Sequence, residues 1–343
     1  MALETTAGFL AYTVLAYGAG AAASLLPLRP ALTRALTAAG AVGGAAAGSI
    51  LAVRVLLTGE PLALTVPALL TVGGGLALRL DALGAFFLLL IGVVAAPAAL
   101  YGAGSSAAYT GRYSLRWLGA MLNAFLLAMS LVVLADNVLT FLLAWEAMSL
   151  ASYFLVMTEH ERDETVAAGG WYLAMTHVGL ALVVVTFVLL IPPSGAASFA
   201  ALRGAAATQP GGVRSLVFVL AVLGFGAKAG LVPLHVWLPR AHPAAPSHVS
   251  ALMSGVMVKL GVYGILRVTL DLLGVGPAWW GALLIGLGAA SALVGVLYAL
   301  TEDDLKRLLA YSSVENVGLV FIGLGAGFLF ASVGEPAAAM LAL

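Results

Sequence analysis

Cysteine is absent from the 343 residues, which excludes disulfides, thiolate metal sites, iron–sulfur clusters and thioether-linked haem. Charge is scarce as well: Asp, Glu, Lys and Arg make up 9% of the chain against 62% hydrophobic residues. A soluble surface needs far more charge than this, so a soluble domain is excluded. Formal net charge is zero, which argues against a nucleic-acid partner. No long polar linker interrupts the chain, and residues 1–343 read as one membrane domain. Lysine is the rarest charge. Of 15 basic residues only Lys228, Lys259 and Lys306 are lysines.

What is present is a series of apolar runs, each near the roughly 20 residues that cross a bilayer. They lie near 5–27, 36–57, 81–102, 117–135, 138–157, 166–191, 215–237, 247–270, 278–300 and 307–330. All ten are expected to be helices, because a lipid-exposed segment must satisfy its own backbone. The predicted class is therefore an all-α polytopic membrane protein. The first run carries Glu4 in place of a basic flank, and it reads as a retained span, not a signal peptide. Alternate connections hold Arg29, Arg34, Arg112, Arg116, Arg162, Arg240, Lys306 and Arg307 on one side. Arg54, Arg79, Arg203, Arg214 and Arg267 fall on the other, which predicts an N-terminus outside.

Two connections, 58–80 and 192–214, are rich in Gly and Pro and read as extracytoplasmic loops, the first with room for a short strand pair. After Pro336 only "AAAMLAL" remains. That is about 10 Å of helix, so a partial eleventh helix and a C-terminally incomplete fold are expected.

Three ionisable groups fall near mid-membrane by helix arithmetic: Glu146 in the fifth run, Lys228 in the seventh and Lys259 in the eighth. A charge there costs about 2.5–3.5 kcal/mol on insertion scales and marks an ion path more often than a static pair. Lysine is the informative choice, since a guanidinium keeps its proton whereas a buried ammonium can be made to release it. Glu146 is the complement that would bias such a lysine. In "LLAWEAMSLASYF", Ser149 and Tyr153 follow Glu146 at helical spacing, either as a hydroxyl stripe on a proton path or as contacts between helices.

After Lys228 comes "GLVPLHVWLPRAHPAAPSH". Gly230 and Pro233 there predict a discontinuous seventh helix with water near Lys228, because prolines inside a membrane are tolerated beside a wet cavity. His248 opens the eighth run about three turns before Lys259 and is a candidate for passing protons inward from the cytoplasmic surface. His235 and His242 are weaker candidates, with capping or loop roles as the alternative. No histidine pair has a compact metal spacing, so no metal is expected. His177 reads as a hydrogen-bonded interior histidine or a relay member. In "TEDDLKRLLAYSSVENVG", Lys306 is a cation at the start of a helix, while Glu315 lies further in as a candidate on the path.

The stretches "LLAWEAMSLASYFLV", "AKAGLVPLHVWLPRAHPAAPSHVSALMSGVMVKLGVYGILRV" and "DLKRLLAYSSVENVG" resemble the antiporter-like subunits of respiratory complex I. "SLASYFLVM" and "SVENVG" resemble the large membrane subunit of formate hydrogenlyase and hydrogenase-four more than complex I itself. The resemblance implies an inverted-repeat fold of 14 helices with broken helices. It divides the chain into N-terminal helices at 1–116, a first repeat at 117–270 and an incomplete second repeat at 278–343. It also implies that Glu146, Lys228 and Lys259 match the family's glutamate on helix five and lysines on helices seven and eight.

The function implied is proton translocation, performed without bond chemistry or a cofactor of its own, inside a respiratory or hydrogenase oxidoreductase complex. The implied partners are the other membrane and peripheral subunits, lipid, and protons or Na⁺. A multi-subunit sodium/proton antiporter and a non-pumping scaffold are the alternatives. Ala, Gly and Arg usage points to a GC-rich prokaryote, hence to a plasma membrane.

Overall fold

The computed structural model describes residues 2–66 and 75–342, with side chains from residue 8 onward. Glu4's side chain and the tip of the first loop, 67–74, lie outside the described residues. Among the described residues ten helices are long and apolar enough to cross a membrane. They are Gly8–Leu25, Pro30–Thr58, Ala82–Tyr109, Leu115–Leu134, Val138–Glu159, Asp163–Leu190, Gly211–Ala229, Ser247–Leu273, Ala278–Ala299 and Leu305–Ser332. Several begin on a side-chain cap that satisfies an otherwise unbonded backbone N–H. Asp81 accepts from Gly84 N at 2.8 Å and Asn137 from Thr140 N at 2.7 Å. Large apolar side chains such as Leu57, Val93 and Leu293 face outward, as lipid allows.

The chain packs as two compact units, residues 1–169 with 244–256, and residues 170–243 with 257–343. In the first, strands Leu62–Val66 and Leu76–Leu80 pair antiparallel in the register Leu62 to Leu80, which bears out the strand pair expected in the first loop. The first, second and fourth spans meet around Asn123, whose Nδ2 donates to Thr37 O at 3.1 Å and Gly119 O at 3.2 Å. Ser24 and Thr37 share a hydrogen bond at 2.8 Å beside it.

In the second unit the ninth and tenth spans touch backbone to backbone. A Cβ at Gly288 would lie 2.6 Å from Gly318 O, and one at Gly325 would lie 2.6 Å from Gly281 O, so only glycine permits this approach. The seventh span stops at Ala229, eight residues short of the expected 237, and Gly230 caps it in the left-handed region at φ 74°. An irregular stretch follows, with a cis Val232–Pro233 bond, before a short helix Leu238–Ala244. The helix break was expected, and the structure has it.

The 192–214 connection, read as a loop, contains a helix, Phe199–Thr208, started by Ser198 accepting from Ala201 N at 3.2 Å. One reading needs correction. Arg267, counted above among loop arginines, lies inside the eighth span with 4% of its surface exposed. It can be buried there because Tyr263 and Asp271 satisfy its donors.

Candidate functional site: a buried lysine at a helix break

Lys228 occupies the last turn of the seventh span, directly before the break. The carbonyl ends of a helix carry roughly half a negative charge, which favours a cation there. Gly226 O accepts from Leu231 N at 2.9 Å, and Ala227 O takes the Trp237 Nε1–H at 2.7 Å. Trp237 therefore folds the chain after the break back over the end of the helix.

The ammonium is 2% exposed. Lys228 Nζ donates to Tyr172 Oη at 2.7 Å and stands 4.9 Å from the centre of the same ring. Tyr172, on the sixth span, is fully buried, packs on Trp237 at 5.0 Å between ring centres, and sits with its hydroxyl 3.5 Å from Met257 Sδ. Sequence reasoning missed Tyr172. It stands five residues before His177 in "WYLAMTHVG", and an aromatic in an apolar helix carries no mark of its partner. His177 is exposed, not interior. Its Nδ1 lies 2.9 Å from Leu173 O, one turn earlier on its own helix, so the ring needs no burial to satisfy it.

A groove of about 470 Å³ opens beside the break, and His235, Pro239, Arg240 and Tyr311 help line it. Lys228 does not form part of that lining. Pro233 is exposed and Gly230 buried. His242, in the short helix outside the spans, is 3% exposed. Burial, and secondarily the Lys306 cation, push it down to about 4, so it is neutral at pH 7. Lys306 Nζ donates to Pro243 O at 3.2 Å and ties the tenth span to the broken segment. Lys259 and Glu315 are half-buried within the eighth and tenth spans.

The first unit holds the remaining candidates. Glu146 is half-buried in the fifth span. Ser149 is buried and gives its hydroxyl to Trp145 O at 3.0 Å, while Tyr153 lines a separate groove with Trp117 and Phe154. His248 is 2% exposed, with its ring against Gly102, where a Cβ would lie 3.0 Å from it. It lines an open cleft of about 300 Å³ together with Tyr109, Arg112 and Glu159. It also lines a smaller space of about 20 Å³ with Arg34 and Ser106, which has room for about one water. His248 thus faces two spaces. Among the described residues no group of three His, Cys, Asp or Glu side chains is placed to hold a metal ion.

Ten membrane-length helices among the described residues, one of them broken beside a buried lysine, define a membrane protein of the antiporter-like class. The family described as "NADH:quinone oxidoreductase/Mrp antiporter, TM" matches residues 135–340, and the chain belongs to it. An uncharacterized protein of Mycobacterium tuberculosis is 52% identical over 269 residues, 78% of this chain and 41% of its own length. Hydrogenase-4 component B of Escherichia coli is 45% identical over 76% of this chain and 38% of its own length. Formate hydrogenlyase subunit 3 of Escherichia coli is 37% identical over 66% of this chain and 35% of its own length. The matches therefore span about two fifths of these relatives.

Among solved structures, the archaeal membrane-bound sulfane sulfur reductase contains a chain that superposes with TM-score 0.78 at 25% identity, over 97% of this chain and 54% of that one. A chain of the Mrp complex from Dietzia sp. DQ12-45-1b also gives TM-score 0.78, at 26% identity, over 98% of this chain and 36% of that one.

Proposed function

We propose that this chain is a proton-translocating membrane subunit of a complex I-like oxidoreductase of the energy-converting hydrogenase kind, multi-pass in a prokaryotic plasma membrane with its N-terminus outside. It carries no cofactor and makes no bonds. Electron transfer in partner subunits drives proton movement through Lys228 and Lys259, with His248 on the uptake side, Glu146 biasing the charge of the relay and Glu315 continuing it. The observation that carries this reading is Lys228 itself: a buried lysine at a helix break whose ammonium donates to the Tyr172 hydroxyl and lies over its ring. A lysine can release its proton where an arginine cannot, and a tyrosine hydroxyl can accept from the charged amine and donate to the neutral one.

His248 supports the uptake side, since it lines a cleft of about 300 Å³ and a second space with room for about one water. Kinship with hydrogenase-4 component B and formate hydrogenlyase subunit 3 supports the hydrogenase setting. Likeness to the Mrp complex favours a second reading, a subunit of a sodium/proton antiporter with no redox partner. In either reading residues 117–270 form the first of two inverted repeats.

The test is Lys228→Arg in the membrane-reconstituted complex. Charge and bulk are kept but the proton is not released, so driven proton uptake should fall to background while assembly persists. Near-normal pumping would sink the relay. Transport that requires Na⁺ and proceeds without an electron donor would favour the antiporter.

A further inference from the structure

The eighth span carries more polar residues than the relay uses. Lys259, Tyr263, Arg267 and Asp271 follow one another at intervals of four, which stacks them along one face of the helix toward the end opposite His248. Arg267 Nε and Nη2 donate to Tyr263 Oη at 3.2 and 3.1 Å, and its Nη1 donates to Asp271 Oδ2 at 2.9 Å. Asp271 also receives both arms of Arg203, at 2.6 and 3.0 Å, from the loop helix Phe199–Thr208. Arg214 Nη2 caps the end of the same span on Leu273 O at 2.6 Å. Two guanidiniums, Arg203 and Arg267, therefore share the Asp271 carboxylate, with the Arg214 guanidinium on Leu273 O close by, and the cluster carries excess positive charge.

Pinning the loop helix to the span needs only the two-armed Arg203–Asp271 pair. It does not explain why a second guanidinium is buried to 4% exposure, at a desolvation cost of several kcal/mol. A polar file leading away from a proton-loading lysine is a leak unless something ends it. A guanidinium neither takes up nor gives up a proton at any working pH, and a fixed cation in a low-dielectric setting repels both protons and Na⁺.

We propose that Arg267, oriented by Tyr263 and Asp271, is an electropositive seal that closes the Lys259 relay toward the end of the eighth span away from His248. Arg267 is a barrier residue, and Tyr263 and Asp271 position it, while Arg203 pins the loop helix to the same carboxylate. The seal rests on the relay reading above, because without proton traffic at Lys259 there is nothing to close.

The experiment uses the full chain in liposomes carrying an internal pH dye, with the membrane potential clamped and a pH step imposed without redox drive. Wild type should leak at the rate of empty liposomes. Arg267→Gln should raise passive proton flux on the order of tenfold, the factor for one charge about 12 Å away, eight residues of helix from Lys259, at an effective dielectric of about 20. Adding Lys259→Gln should abolish the increase. Arg203→Gln breaks the pin to the loop helix but keeps the Arg267 charge, and should stay tight.

Background flux in folded Arg267→Gln overturns the seal. So does a leak in Arg203→Gln as large as that in Arg267→Gln, which would mark a structural clamp, and so does a leak that survives Lys259→Gln. If Arg267→Gln does not fold, Arg267→Lys carries the test, since an ammonium can release its proton: flux above wild type supports the seal and background flux overturns it. Normal pumping by Lys228→Arg would defeat the relay reading separately, whatever Arg267→Gln does.

Discussion

Tyr172→Phe removes one oxygen and little else. The ring that stacks on Trp237 at 5.0 Å and lies 4.9 Å from Lys228 Nζ is kept, so the cation–π contact and the packing survive. What is lost is the acceptor at 2.7 Å from a fully buried ammonium. A hydrogen bond to a charged group is worth about 1.5–3 kcal/mol, and at about 1.36 kcal/mol per factor of ten the charged state of Lys228 becomes about 10- to 150-fold harder to populate. Driven proton transport at neutral pH should slow by that range, up to the point where another step limits the rate. The assay is initial proton uptake by the reconstituted complex over a series of loading-side pH values. Because the defect is in loading, a higher proton concentration should restore much of the rate by mass action. A merely structural loss would not respond in this way. Wild-type rates at every pH, or a defect that pH leaves unchanged, would refute the role given to the hydroxyl.

Glu146→Gln is near-isosteric and should leave assembly intact while slowing transport, with Glu146→Asp recovering part of the rate. Failure of both variants to assemble, seen by size-exclusion chromatography, would make Glu146 a structural residue. Gly230→Ala places a Cβ at φ 74° and 3.0 Å from Leu238 Cδ2, so a thermal-unfolding assay in detergent should show a loss of about 1–2 kcal/mol. Gly288→Ala drives a Cβ to within 2.6 Å of Gly318 O, and the ninth and tenth spans should separate at a cost of about 1–3 kcal/mol. His242 is held neutral down to about 4 against an ordinary 6.5, so its contribution is present above pH 6.5 and fades as pH falls toward 4. His242→Gln should flatten that part of the stability–pH curve by roughly 3 kcal/mol at most, and an unchanged slope would refute the buried, neutral state.

Much of this molecule is dictated locally. Long apolar runs with 9% charge leave only membrane helices, since a backbone in lipid must bond to itself. Gly230 and Pro233 announce the break because one supplies a positive φ and the other removes a donor, and both effects act within a few residues. Lys228, Lys259 and Glu146 stand out from the sequence because charge inside a membrane is costly wherever it lies.

The partners of those charges are another matter. Tyr172 reaches Lys228 across 56 positions and Arg203 reaches Asp271 across 68, and neither spacing leaves a period or a motif. Arg267 reads as a loop cation until the turns of the eighth span bring Tyr263 and Asp271 to it on one face. His177 reads as interior, yet which side of the sixth span faces inward is decided by packing against other helices, and the sequence of one helix carries too little amphipathic contrast to reveal it. Pairing is a property of the folded chain, because a hydrogen bond requires an atom within about 3 Å and only tertiary structure brings distant residues that close.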